Sequence, residues 1–235
     1  MFPAFVKSGL QIYLYFCIYQ HYFQLFIKYI ADTSQFITYF RLMLGLKLTT
    51  DPRWANAAEK SLEEILIDHA YCEQKAATTG ISLIVQYPEF EKMVKECTAI
   101  VAEEWGHFRK VLKELEKRGY KFGKQRKDNY VNELAKLITR GGDRNEQVAE
   151  RLLLLAMIEA RSCERFRVLS LHIADPELKQ FYHDFMVSEA GHYRTFIDLA
   201  KEYMPESYVK RRWQQILDGE AEIMQRLTPV GSRIH

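Results

Sequence analysis

Residues 103–108 read EEWGHF, inside the segment FEKMVKECTAIVAEEWGHFRKVLKELEKRG that runs from residue 90 to residue 119. Phe90, Val94, Cys97, Val101, Phe108, Val111 and Leu115 recur at helical spacing and mark one apolar face. Glu104 and His107 fall on or beside that face. A carboxylate buried alone is costly, so Glu104 requires a partner.

The partner emerges from a second copy of the pattern. In SEAGHYRTF, residues 188–196, Glu189 and His192 repeat the spacing of Glu104 and His107, and Phe185, Phe196 and Leu199 share their face. Each Glu-x-x-His follows a helical segment with a carboxylate among its apolar positions. Upstream of the first, Glu73 aligns with Ile65, Leu66 and Ala76; upstream of the second, Glu159 aligns with Leu152, Leu155 and Phe166. Glu73 precedes Glu104 by 31 residues and Glu159 precedes Glu189 by 30. The chain therefore repeats a helix pair, with Glu on one helix and Glu-x-x-His on the next. Two such hairpins face to face place four carboxylates and two imidazoles in one core. That donor set suits two iron or manganese ions, because carboxylates bridge hard cations and imidazoles complete the shell.

One carboxylate has a rival. Glu164 in SCERF echoes Glu73 in YCEQK, but Glu164 shares its side of the helix with Arg161 and Arg165, which favours Glu159. His69, one turn before Glu73, suits either a supporting role beside the metal ligands or an ordinary core position. His172 and His183 read as structural or solvated.

Outside these words the chain is helical from residue 51 onward. Asp51-Pro52 is a helix start, and one segment is expected from about Asn56 to Thr79, stopping at Gly80. Tyr87-Pro88 opens the next, which ends near Gly119. DNYVNELAKLITRGG is a shorter helix, NEQVAERLLLLAMIEARSCERFRVLSLHI a long one, and Asp175-Pro176 begins another that Pro205 ends. SYVKRRWQQILDGEAEIMQRL completes the set. Long helices with a longer connection between the two halves predict an all-α, ferritin-like four-helix bundle with a crossover and additional short helices.

The 235 residues are 48% hydrophobic and 27% charged with a net charge of +2, a globular composition that excludes a disordered chain and names no partner. Cys17, Cys72, Cys97 and Cys163 form no CxxC pair, which argues against a disulfide framework or a cysteine zinc site and fits a reducing cytoplasm. Residues 1–42 differ from the rest. They are crowded with Phe and Tyr, and Asp32 is their one acid. Gln11, Gln20, His21, Gln24 and Lys28 interrupt the apolar run that a membrane span of about 20 residues needs, and no signal-peptide cleavage pattern is present. The stretch reads as an extension outside the core, or a mis-assigned start with Met43 as initiator, and residues 43–235 read as the domain.

The words DHAYCEQKAA, EEWGHF, IEARSCERF and SEAGHYRTF, followed across about residues 43–235, resemble the MiaE-type tRNA hydroxylases. The resemblance implies a non-haem di-iron monooxygenase. Such an enzyme uses dioxygen and two electrons to hydroxylate the isopentenyl group of 2-methylthio-isopentenyl-adenosine beside the tRNA anticodon. It implies Glu73, Glu104, His107, Glu159, Glu189 and His192 as ligands of two iron ions. The implied partners are a tRNA anticodon stem-loop and an electron-donating reductase or ferredoxin, with no stable membrane association. The aromatic extension departs from the family pattern.

Local charge agrees with an RNA partner. Arg109–Lys127 holds nine basic residues and two acids, and Lys210, Arg211 and Arg212 form a second cluster, with Arg140 and Arg144 near the paired glycines. Lys121, Lys124, Arg126, Lys127, Lys210, Arg211 and Arg212 are the candidate RNA contacts, and Tyr120 and Phe122 interleave the first run as stacking surfaces. Other activities would use the same ligands. A storage or peroxide-scavenging ferritin or rubrerythrin relative is one, although the CxxC pair common in scavengers is absent. A membrane-associated quinone-precursor hydroxylase is another, and the apolar N-terminus is its main support.

Overall fold

A computed structural model describes residues 44–227 and 231–235. The aromatic-rich stretch and its expected boundary after residue 42 lie outside the described residues. The chain divides between Gly45 and Leu46 into two units, and the seven described helices all lie in the second: α1 (Arg53–Lys60), α2 (Leu62–Gln86), α3 (Glu91–Lys117), α4 (Asn129–Leu134), α5 (Arg144–His172), α6 (Pro176–Tyr203) and α7 (Glu206–Arg226). None of them is long and apolar enough to cross a membrane.

Local chemistry sets several helix ends. Asp143 and Glu146 form a capping box at α5, the Asp143 carboxylate accepting from the Glu146 N–H at 2.9 Å and Glu146 accepting from the Asp143 N–H at 3.2 Å. At α6 the Asp175 carboxylate accepts from the Glu177 N–H at 2.9 Å, and Pro176 takes the first turn, where a missing N–H costs nothing. Gly119, at a φ of 72°, turns the chain out of α3.

Helices α2 and α3 form one hairpin and α5 and α6 the other, joined by a crossover from residue 118 to residue 143 that contains α4. Contact between α3 and α6 links the hairpins, and α7 packs on α4, α5 and α6. This is the expected ferritin-like four-helix bundle.

Four local expectations need correction. The segment expected from Asn56 to Thr79 is broken at Ser61, whose backbone (φ −119°, ψ 37°) separates α1 from α2. Gly80 does not end α2, which continues to Gln86. Gly80 is buried, and a Cβ built there would lie 2.6 Å from Val101 Cγ2, so the missing side chain lets α2 and α3 approach closely. Tyr87-Pro88 forms the turn before α3 rather than its first residues, and Phe90 caps the helix. The buried stripe of α3 is also rotated by about one residue from its expected phase. It runs through Met93, Cys97, Ile100, Glu104, His107, Val111 and Leu115, while Val94, Val101 and Phe108 are half-buried. Glu104 and His107 thus occupy the middle of the buried face, not its border.

Helix α5 is buried nearly all round, including Arg161 and Arg165. Arg161, 0% exposed, donates from Nε and Nη2 to Glu220 Oε1 of α7 at 2.8 and 2.6 Å, from Nη1 to Glu164 at 3.1 Å, and from Nη2 to the Leu48 carbonyl at 3.0 Å. The Arg165 guanidinium lies 4.3 Å over the Trp54 ring of α1. These charges tie α1, α5, α7 and the chain entering α1 into one unit.

The Gly80 contact generates a test. Gly80→Ala gains roughly 1 kcal/mol of helix propensity but forces a methyl group against Val101, and overpacking costs about 1–3 kcal/mol. Gly80→Ala should lower the melting temperature, and adding Val101→Ala should restore it. Equal melting of the single variant and the parent would contradict the close approach.

Candidate metal centre

Helical phase delivers the charged side chains to one level of the bundle. Glu73 comes from α2, Glu104 and His107 from α3, Glu159 from α5, and Glu189 and His192 from α6. Each is buried. They fall into two overlapping groups, Glu73, Glu104, His107 and Glu189, and Glu104, Glu159, Glu189 and His192; within each, one donor atom per residue lies within 4.8 Å of the others. Glu104 and Glu189 belong to both.

In the first group His107 Nδ1 lies 3.3 Å from Glu73 Oε2, 3.6 Å from Glu104 Oε2 and 3.8 Å from Glu189 Oε1. In the second, His192 Nδ1 lies 2.7 Å from Glu104 Oε1 and 3.8 Å from Glu189 Oε2. Both imidazoles turn the same nitrogen inward. Glu73 Oε2, Glu104 Oε1, Glu189 Oε1 and the Nδ1 atoms of His107 and His192 are buried close to one another without a hydrogen bond of good geometry. Buried polar atoms are normally paired, and a convergent set of unpaired oxygen and nitrogen donors fits a pair of divalent cations.

The electrostatics show the strain of the protein groups by themselves. Burial raises the Glu73 carboxyl well above the usual range, and the neighbouring Glu104 and Glu189 raise it further. Burial, with Glu189 beside it, does the same to Glu159. Burial also opposes ionisation of Glu104, but the imidazoles of His107 and His192 beside it outweigh burial and hold its carboxyl well below the usual range. Burial works against a charged His192, yet Glu103, Glu104 and Glu189 hold its pKa well above the ordinary value.

Two supporting side chains complete the centre. His192 Nε2 lies 2.8 Å from Glu103 Oε2, so a carboxylate holds the outward nitrogen and leaves Nδ1 inward. Sequence reasoning missed this role because it depends on α6 passing α3; the one sign was a second Glu directly before Glu104. His69 Nε2 lies 2.8 Å from Glu73 Oε1, and its ring is packed among Phe166, Phe181, Tyr182 and Phe185 at centroid distances of 4.5–5.9 Å. Burial pushes its pKa well down. His69 therefore fills the core and touches Glu73 at once. His172 is exposed, and His183 is partly exposed, 3.8 Å from Asp184.

Glu164 is placed elsewhere. Its two oxygens accept from the Thr50 N–H at 2.7 Å and the Thr50 hydroxyl at 2.6 Å, and Arg161 neutralises it.

A cavity of about 380 Å³ opens onto the centre between α2 and α5. Glu73, Glu104, Glu159 and Glu189 line it, with Ala76, Leu154, Leu155 and Ile158 beside them and Gln125, Asp128, Val131 and His235 contributed from outside the four main helices. The size is that of a small-molecule site.

The candidate RNA contacts divide. Lys121, Lys124 and Lys127 are exposed. Arg126 is occupied within the fold, donating to Ser232 Oγ at 3.2 Å and to the Glu64 carbonyl at 3.1 Å. Arg212 spans both oxygens of buried Glu150, at 2.6 and 2.7 Å. Lys210 pairs with Glu206 one turn away, and Arg211 lies over the Tyr208 ring. Phe122 is 43% exposed and stacks on Tyr71 at 4.6 Å; Tyr120 is half-buried.

Residues 36–235 match the family model described as tRNA-(MS[2]IO[6]A)-hydroxylase (MiaE). A tRNA 2-(methylsulfanyl)-N(6)-isopentenyladenosine(37) hydroxylase from Pseudomonas putida is 35% identical, the match covering 75% of this chain and 84% of that protein. The protein of the same name from Salmonella typhimurium is 24% identical, over 65% of this chain and 73% of its own. Among solved structures, a protein with aldehyde deformylating oxygenase activity from Synechococcus superposes with a TM-score of 0.76 at 29% identity, over 81% of this chain and 94% of that one.

The two α5 carboxylates offer a direct comparison. Glu159→Ala should lower the metal content of purified protein, while Glu164→Ala should lower thermal stability by roughly 3–5 kcal/mol, the cost of stripping one partner from a buried ion pair, with metal content retained. Metal analysis beside thermal melts reads both, and the opposite pattern would move the ligand to Glu164.

Proposed function

The chain belongs to the MiaE family of tRNA hydroxylases, and on that premise we propose that it hydroxylates the isopentenyl group of 2-methylthio-isopentenyl-adenosine beside the anticodon of tRNA. Two iron ions would be held by Glu73, Glu104, His107, Glu159, Glu189 and His192, with dioxygen as co-substrate and two electrons from a reductase or ferredoxin in the cytoplasm. The observation that carries this reading is the pair of four-residue groups sharing Glu104 and Glu189 on the wall of a cavity.

Iron supplies the activation of dioxygen that an unactivated methyl group requires, since such a carbon has no proton that a side-chain base could remove. The chain's own groups do the rest. Glu104 and Glu189, which belong to both donor groups, would help to hold the ions. Glu103 fixes the orientation of His192, and His69 does the same for Glu73. Ala76, Leu154, Leu155 and Ile158 give the isopentenyl chain an apolar, water-poor surface beside the carboxylates. Lys121, Lys124 and Lys127 offer exposed charge to the phosphates of the stem-loop.

Nucleoside analysis tests the activity. Iron-loaded, reduced protein given air and tRNA carrying the isopentenyl nucleoside should add one oxygen atom to it. An unchanged nucleoside, with oxidation of a quinone precursor instead, would replace this reading.

The docking surface has its own test. Changing Lys121, Lys124 and Lys127 together to Ala should reduce the salt dependence of tRNA binding by about 2 in log–log slope, at roughly 0.7 per lost phosphate contact. KM should rise and iron content stay as in the parent. An unchanged slope would place the RNA elsewhere.

A further inference from the structure

The cavity wall differs on the two sides of Glu159. Leu154, Leu155 and Ile158, in the turn before it, are apolar, whereas Ser162, in the turn after it, is the start of a polar cluster. Ser162 Oγ lies 2.8 Å from His235 Nε2, and His235 Nδ1 lies 3.9 Å from Cys72 Sγ. Asp128 approaches the same point, within 4.8 Å of the Cys72 and His235 donor atoms. Lys75 lies against Asp128 at 2.6 Å, which supplies the positive charge that a cation would bring, so this cluster is better suited to an organic ligand than to a third metal ion.

The imidazole is held in place before any ligand arrives. Residues 231–235 form a strap laid along the bundle. Asp68 fastens it by accepting from Arg233 Nη1 at 2.6 Å and from the Ile234 N–H at 2.9 Å; Arg233 Nη2 also donates to the Lys127 carbonyl at 2.8 Å, and Ile234 is 0% exposed. The His235 ring stacks on Tyr130 at 5.1 Å and 22°. Tyr130 is itself buried and donates to Glu220. None of the fastening bonds uses the His235 side chain; its Nε2 meets Ser162 Oγ and its Nδ1 faces Cys72 Sγ, so hydroxyl, imidazole and thiol stand together on the cavity wall.

We propose that His235 and Ser162 form the subsite that recognises the polar edge of the substrate's heteroaromatic base, with the apolar wall before Glu159 taking the alkyl group. This rests on the hydroxylase reading above. An alkyl chain alone makes no use of a hydroxyl–imidazole pair, whereas the Ser162 oxygen, which can both donate and accept, keeps capacity for a polar ligand atom beside its contact with His235. A nucleobase bearing an alkyl substituent matches both surfaces at once. Burial pushes the imidazole down to about 4, so at neutral pH it is uncharged, and with Ser162 it offers the base edge a neutral hydrogen-bonding pair rather than a cation. His235 is on this view a specificity residue and touches the base rather than the carbon that reacts.

The test uses the full chain without added metal and a labelled anticodon stem-loop with or without the isopentenyl-modified adenosine. The parent should bind the modified RNA more tightly. His235→Ala should reduce that preference about tenfold, and Ser162→Ala by a smaller factor, the losses expected when a buried hydrogen-bonding partner is removed. His235→Gln, which keeps a donor and an acceptor, should recover most of it. With iron-loaded protein, His235→Ala should raise KM more than it lowers kcat. Melting curves check that the strap stays fastened; if His235→Ala melts early, binding by Ser162→Ala and His235→Gln decides the question. If the parent prefers modified RNA and the variants share its preference, the subsite is refuted and the hydroxylase reading stands. If the parent shows no preference and leaves the modified nucleoside unhydroxylated, the hydroxylase reading falls and the subsite with it.

Discussion

Four carboxylates meeting inside a helical core are the constraint around which the rest of this molecule is arranged. In a medium poorer in water than bulk solvent their repulsion is strong. The protein groups alone relieve this in part, by raising Glu73 and Glu159 towards the neutral acid and by drawing His107 and His192 onto Glu104. The relief leaves donor atoms unpaired, which is the condition a pair of bound cations satisfies.

A second buried charge cluster, lower on α5, shows what the alternative looks like. Arg161, Glu164, Glu220, Tyr130 and Thr50 satisfy one another almost completely. Glu159 and Glu164 lie five residues apart on one helix and are both buried. One is neutralised by a guanidinium and a threonine, and the other faces further carboxylates. The chemistry of a buried acid is therefore decided by what the facing helix supplies.

That difference explains how much could be read in advance. The six converging residues were legible because their signal is local and doubled. A Glu-x-x-His spans one helical turn, and its repeat 85 residues later, with a Glu at matching distance upstream, leaves few other arrangements. The hairpins, the end of α3 and the start of α6 were legible for the same reason, since Gly119 and Asp175 act on their own neighbours. What was not legible depended on packing between distant segments. Gly80 looked like a stop because a glycine's usual effect is local, but here it answers to Val101 across the hairpin. The burial of Arg161 and Arg165 gave no local sign because their partners, Glu220 and Trp54, lie in other helices. Arg126 and Arg212 looked free to meet RNA because Ser232 and Glu150 are far away in the sequence. Glu103 and His235 gave no periodic signal at all.

The division between legible and illegible residues follows the division of labour in the cavity. Its chemistry-bearing wall comes from the repeated hairpins, in which α2, α3, α5 and α6 each supply one Glu. Contact between α3 and α6 closes one side of the bundle, and the cavity lies on the other, between α2 and α5. That opening is bounded by parts with no counterpart in the repeat: Gln125, Asp128 and Val131 from the crossover, and His235 from the strap. A symmetric pair of hairpins can hold two ions but offers a ligand the same surface from both halves. Selecting one side of an asymmetric substrate requires asymmetric walls, and only the connecting segments are free to provide them without disturbing the four helices that carry the converging carboxylates. The crossover and the strap are the segments whose chemistry can vary while the centre beneath them stays the same.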